Sequence, residues 1–221
     1  MRGARSPSAP ASNSPVEACG FGHDLWRFEY TRLVQIVPAG PTHSHPILTL
    51  GTRFAETEDH LLATYLHEQM HWYLWRLGGP DHDPVAPFFD ELVRRYPKAP
   101  TTLPEGARSY EQTFMHLVVC WLEIAAVAEL IGRARAEALC QTQWGYRWIY
   151  RTVLKDWEAL GALYREHGLL PMQTPAELDA EEARRRRRPS AAPRKTKSAA
   201  PKPRSRQSRR KPPARGGRSR G

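Results

Sequence analysis

Two histidines and a glutamate in the stretch LATYLHEQMHWYLWRL, residues 62–77, have the types and spacing to hold and use a metal ion. On an α-helix, positions i and i+4 lie one turn apart on the same face. His67 and His71 can therefore offer their ring nitrogens to one ion, at about 2.0–2.1 Å if that ion is zinc. Glu68 stands one residue further along. It is placed to act as general base on a metal-activated water rather than to bind the ion itself. The surrounding residues are Leu, Tyr, Trp and Met, so the helix is buried over most of its circumference. Ionisable groups in such a setting are costly unless paired or bound to metal, which separates this pentapeptide from a chance H-E-x-x-H.

The elements that must position these residues can be read along the chain. WRFEYTRLVQIVP (26–38) and HPILTLGTR (45–53) are aromatic and β-branched runs that predict short strands. Thr57 is a cap for the motif helix, which Gly78-Gly79-Pro80 should stop. Asp83-Pro84 opens a second helix through FFDELVRRY, and Ser109 to Gln112 has capping-box spacing before a helix running to Gly132. Further helical segments are expected over about 133–142 and 146–167. The fold class is α+β: a short N-terminal sheet, the motif helix, a helical C-terminal half and a disordered basic tail. The expected organisation is a disordered segment 1–20, one domain over 21–175 and a disordered tail over 176–221.

The motif helix resembles the active-site helix of the zincin metallopeptidases, and the order strand, motif helix, later helix is similar to the small zincin catalytic core. The likeness covers about residues 26–130. It implies one bound Zn2+, a peptide or protein substrate, and a strand before the helix that aligns that substrate, here Leu48, Thr49, Leu50 and Gly51. A third ligand is then required beside an open position. Leu74 and Leu77 stand where the metzincin pattern needs glycine and histidine, which excludes that subclass. Three candidates stay open, with Glu123 the leading one, so the expected metal set is His67, His71 and Glu123. Glu123 ends a stripe of Thr113, His116, Cys120 and Glu123, and EIAAVAELIG resembles the glutamate helix of gluzincins, although Leu122 departs from the Asn or Gly usual there. His116 lies on the same stripe. His82, in GGPDHDPVAPFF, resembles the later histidine of Spartan-type proteases, which act on protein crosslinked to DNA. If Glu123 binds the metal, His116 becomes a group that stabilises the oxyanion, a role also open to the phenols of Tyr110 and Tyr146.

Charge divides the chain in two. The net charge is +10, yet residues 184–221 hold 17 of the 33 lysines and arginines and none of the 23 acidic residues. The remaining 16 basic residues face all 23 acidic ones, so residues 1–183 carry −7. The tail lacks large apolar side chains and cannot bury enough surface to fold alone. Such a segment binds polyanions by counterion release, which makes nucleic acid an expected partner through residues 184–221. An alternative function follows: a nucleic-acid-associated binding protein whose tail acts and whose zincin-like body is structural or inactive. Three cysteines, Cys19, Cys120 and Cys140, form no disulfide framework, and no run approaches the ~20 uninterrupted apolar residues of a membrane span. The expectation is a cytoplasmic protein associated with nucleic acid through its tail, with no membrane partner.

Overall fold

The structure, a computed structural model, describes residues 24–38, 40–54, 56–78 and 85–187. The expected disordered segment 1–20, His82 and the tail beyond 187 lie outside these residues. The described residues form a mixed, mostly helical fold of seven helices and one two-stranded parallel sheet.

Strand β1 (Val34–Val37) is shorter than the run 26–38 predicts. The first part of that run turns through a 3-10 segment, Leu25–Phe28, and sends Leu25, Phe28 and Tyr30 into the core instead. Strand β2 (Leu48–Gly51) pairs with β1 in parallel, Val34 opposite Leu48 and Val37 opposite Gly51. The other edge of β2 is occupied as well. The amide of His43 donates to the Thr49 carbonyl (3.0 Å) and the Thr49 amide donates back to His43 (2.8 Å).

Helix α1 (Glu58–Gly78) carries the motif and starts where predicted, with the Thr57 hydroxyl accepting from the His60 amide. Helix α2 (Ala86–Arg95) follows, then α3 (Tyr110–Ile131). The Ser109 hydroxyl oxygen accepts from the Gln112 amide, and Gly132 ends α3 at φ 88°, a conformation that favours glycine. Helix α3 is long and apolar enough by length and composition to cross a bilayer, but 67% of that stretch is buried inside the fold. Its apolar surface is the centre of the core, packed against α1, α2, α4 (Arg133–Thr142) and α5 (Arg147–Lys155). The segment expected as one helix over 146–167 breaks at Asp156 into α5 and α6 (Trp157–Glu166).

Helix α7 (Pro175–Arg187) corrects the expectation that residues from 176 onward are disordered. Thr174 and Glu177 form a reciprocal cap: the Glu177 carboxylate accepts from the Thr174 amide, and the Thr174 hydroxyl accepts from the Glu177 amide. Pro175 sits at the first helical position, where its missing N–H costs nothing. Leu178 is buried, and Arg185 and Arg186 pair one turn back with Glu181 and Glu182. The arginine run thus begins on a helix whose acidic half precedes it.

Candidate metal centre

Helices α1 and α3 run in opposite directions along each other, since His67 meets Glu123 while His71 meets His116. This brings one stripe of each helix to a shared cavity of about 470 Å³. From α1 come Thr64, His67, Glu68 and His71; from α3 come Gln112, His116 and Glu123; Tyr146 and Tyr150 close it from the start of α5.

The imidazoles of His67, His71 and His116 form a nearly equilateral triangle. Their ring centroids are 5.2 Å (His67–His71), 5.2 Å (His71–His116) and 5.5 Å (His67–His116) apart. Each can present one nitrogen within 4.8 Å of the others, which suits convergence on a single cation. Hydrogen bonds select the nitrogen in two of the three. Nδ1 of His116 lies 2.8 Å from the Gln112 carbonyl oxygen, which can only accept. The proton is therefore on Nδ1, and Nε2 offers its lone pair to the cavity. Nδ1 of His67 lies 2.8 Å from Oε2 of Glu123, leaving Nε2 as that ring's other donor atom. The Glu123 carboxylate is fixed in turn by the Tyr150 hydroxyl, which donates to it at 3.0 Å. Carboxylate support of a ring nitrogen facing away from the cation is a recurrent feature of histidine metal sites.

A second group overlaps the first. His67, Cys120 and Glu123 also bring donor atoms within 4.8 Å, with Cys120 and Glu123 buried. Cys120 does not line the cavity. The structure thus positions His67, His116, Cys120 and Glu123, together with His71, to bind a metal ion.

The electrostatics follow from burial and from crowding of three imidazoles. Burial, then the charges of His67 and His116, press the pKa of His71 down to about 2. Burial and the His67 charge lower His116 to about 4. Burial also pulls His67 down, but hydrogen bonds to Cys120 and Glu123 and the Glu123 charge outweigh it and hold His67 well above the usual range. Two of the three rings are therefore neutral, the state in which imidazole binds a cation. Glu68 is 7% exposed, and burial raises its pKa to about 7 against the opposing pull of His67.

Tyr146 is held by the backbone. It is the one non-glycine residue with positive φ (57°) among the described residues, a left-handed conformation of order 1–3 kcal/mol in cost. Its carbonyl starts α5 by accepting from the Tyr150 amide, and the next two amides donate to the carbonyls of Pro104 and Glu105. The turn brings the Tyr146 hydroxyl 3.0 Å from Nε2 of His116, to which it donates. Burial keeps this phenol protonated to higher pH than usual.

Not every expected residue arrives at the cavity. Tyr110 is exposed and packs on Phe114, outside the lining. Leu48, Thr49 and Leu50 are buried in the core, and only Gly51 of the four expected strand positions reaches the cavity. The expectation of a substrate-aligning edge on β2 is corrected on this point. Both of its edges pair with the chain itself, and the segment Thr42, His43 and Ser44 borders the cavity instead. Gly51 permits that packing, because a Cβ there would lie 2.1 Å from the Gly40 carbonyl oxygen. Sequence reasoning missed Thr42, Ser44, Gln143 and Tyr150. Only Tyr150 left a signal, as a hydroxyl-bearing ring four residues after Tyr146 and so on the same helical face. Comparison with protein-family models, curated proteins and solved structures gives no match, so the resemblance to zincins rests on the residues themselves.

Proposed function

We propose that the chain is a zinc-dependent metallopeptidase whose ion is held by Nε2 of His67, a ring nitrogen of His71 and Nε2 of His116. The observation that carries this reading is the triangle of imidazoles with the buried Glu68 carboxylate beside it in one cavity. Three nitrogen donors open to a cavity on one side fit a catalytic zinc site better than a closed structural one. In this reading Glu123 supports the ion through His67 rather than binding it. Its oxygens already accept from His67 and Tyr150, on the Nδ1 side of the ring.

Zinc in that position supplies a Lewis acid that polarises a substrate carbonyl and makes water more acidic. The chain supplies the rest. Glu68 takes a proton from the attacking water onto its carboxylate and returns it to the leaving amine. The Tyr146 hydroxyl, which donates to Nε2 of His116 in this structure, would give up that bond where Nε2 holds the ion and donate instead to the oxyanion as it develops. Gln112 and Glu123 fix the orientation of two of the ligand rings through their Nδ1 protons. The apolar packing behind α1 and α3 keeps bulk water from all but the open side.

The deciding experiment is Glu68→Gln in zinc-loaded protein. Hydrolysis of a mixed peptide pool should vanish while about one zinc per chain is retained. Hydrolysis at the wild-type rate would refute the mechanism. Charge favours an added property of the same chain: with 17 basic residues, segment 184–221 binds nucleic acid or another polyanion, weakening steeply as salt rises.

A further inference from the structure

Beyond the cavity, α1 carries an aromatic surface that the proposed chemistry does not use. Trp75 lies one turn after His71 on the same face and is 63% exposed. Its ring meets Trp72 edge-on at 5.4 Å, and His45 stacks on Trp72 at 4.2 Å, with Trp75 at its edge (6.1 Å). The three rings form one platform. It joins the cavity directly, because the Trp72 indole N–H donates to the carbonyl of Ser44 (2.8 Å), and Ser44 and His71 both line the cavity.

Resting on the metallopeptidase reading, we infer that His45, Trp72 and Trp75 form the subsite that receives a large apolar or aromatic side chain of an extended peptide, next to the bond held over the three histidines. Two of the platform's four ring nitrogens are already engaged. The Trp72 N–H is used by Ser44, and Nδ1 of His45 lies 2.9 Å from the Ser44 hydroxyl. Apart from the Trp75 N–H and Nε2 of His45, what remains is ring face and edge, which reward burial of apolar surface and aromatic contact. The adjoining charge points the same way. The cavity lining holds two carboxylates, Glu68 and Glu123, and no lysine or arginine among the described residues. That lining gives a phosphate-bearing strand no lysine or arginine to pair with along its length, whereas a neutral apolar side chain needs none. A tryptophan this exposed beside a reaction cavity is the kind of residue that anchors a partner.

The test uses the full-length zinc-loaded chain and a library of short peptides with one position varied on each side of the scissile bond. At one of these positions Phe, Trp or Leu should be preferred over Ala by about tenfold or more in kcat/KM, mainly through KM. In Trp75→Ala that ratio should fall to near one, Trp75→Phe should restore most of it, and bound zinc should be unchanged in both. A ratio that survives Trp75→Ala, or no preference at either position in the wild type, overturns the inference while leaving the hydrolase reading intact. If no peptide is hydrolysed at all, the hydrolase reading fails. The platform is then judged from equilibrium binding of the same peptides to Glu68→Gln protein, where loss of the Trp75-dependent ratio overturns it. A nucleoside, with a base and no phosphate, is the control ligand. Trp75-dependent nucleoside binding without peptide selectivity would make the platform a base-stacking surface and overturn the inference.

Discussion

Replacing Glu123 separates a residue that binds the metal from one that holds a ligand in place. Its carboxylate is 4% exposed and accepts from the His67 ring (2.8 Å) and the Tyr150 hydroxyl (3.0 Å). Glu123→Ala leaves both donors buried without an acceptor, at roughly 1–3 kcal/mol each. The metal-free chain should therefore lose a large part of a total stability of order 5–15 kcal/mol. Glu123→Gln keeps the shape and an acceptor oxygen and should cost much less. For the metal, loss of a group that orients a ligand weakens affinity by about 10–100-fold. At about 1.4 kcal/mol per factor of ten, this is roughly 1.4–2.8 kcal/mol. Loss of His116 removes a donor outright and should weaken binding beyond that range. The assay is competition for zinc against a chelating indicator, run on wild type, Glu123→Gln, Glu123→Ala and His116→Ala, with folding checked by denaturant titration. Stoichiometric zinc in His116→Ala together with none in a folded Glu123→Gln would refute the reasoning and make Glu123 the third ligand.

Two further outcomes follow from the same geometry. Tyr146→Phe removes only the hydroxyl facing His116 and should lower kcat by about 10²–10³ with zinc retained, as for loss of one oxyanion donor; an unchanged kcat would reduce Tyr146 to packing. Burial raises the phenols of Tyr73, to about 12, and of Tyr150 and Tyr164. Because the unfolded chain ionises these groups first, near pH 10, their contribution is complete below that pH and is lost as pH rises through the folded values. Alkaline titration followed by phenolate absorbance and circular dichroism should show these tyrosines ionising together with unfolding. Ionisation near pH 10 in a chain that keeps its helices would contradict the burial.

The parts of the centre that were legible in the sequence are local ones. Spacing within a helix is fixed by its own period, so His67, Glu68 and His71 share a face whatever packs on them, and His116 and Glu123 fall on one stripe for the same reason. Caps are local too, and Thr57, Ser109 and Gly132 mark helix ends where the structure has them. Helix α7 was misread because composition near the arginine run outweighed a capping pair and two i,i+4 ion pairs, which are short-range signals in the same residues.

What composition and period could not supply is the way separate elements meet. The stripe on α3 carried both residues, and its resemblance to a glutamate helix favoured Glu123 as the ligand over His116; the antiparallel register against α1 set His116 in the triangle with His71 and turned Glu123 to Nδ1 of His67. The β2 run looked like a substrate edge because a strand's own residues do not reveal its neighbours, and it is the return of residues 42–44 that takes its place at the cavity. By itself the sequence determined the chemistry available, two histidines and a glutamate on one helical face. The tertiary structure decided which groups converge on it, since that depends on contacts between residues far apart in the chain, which no local period encodes.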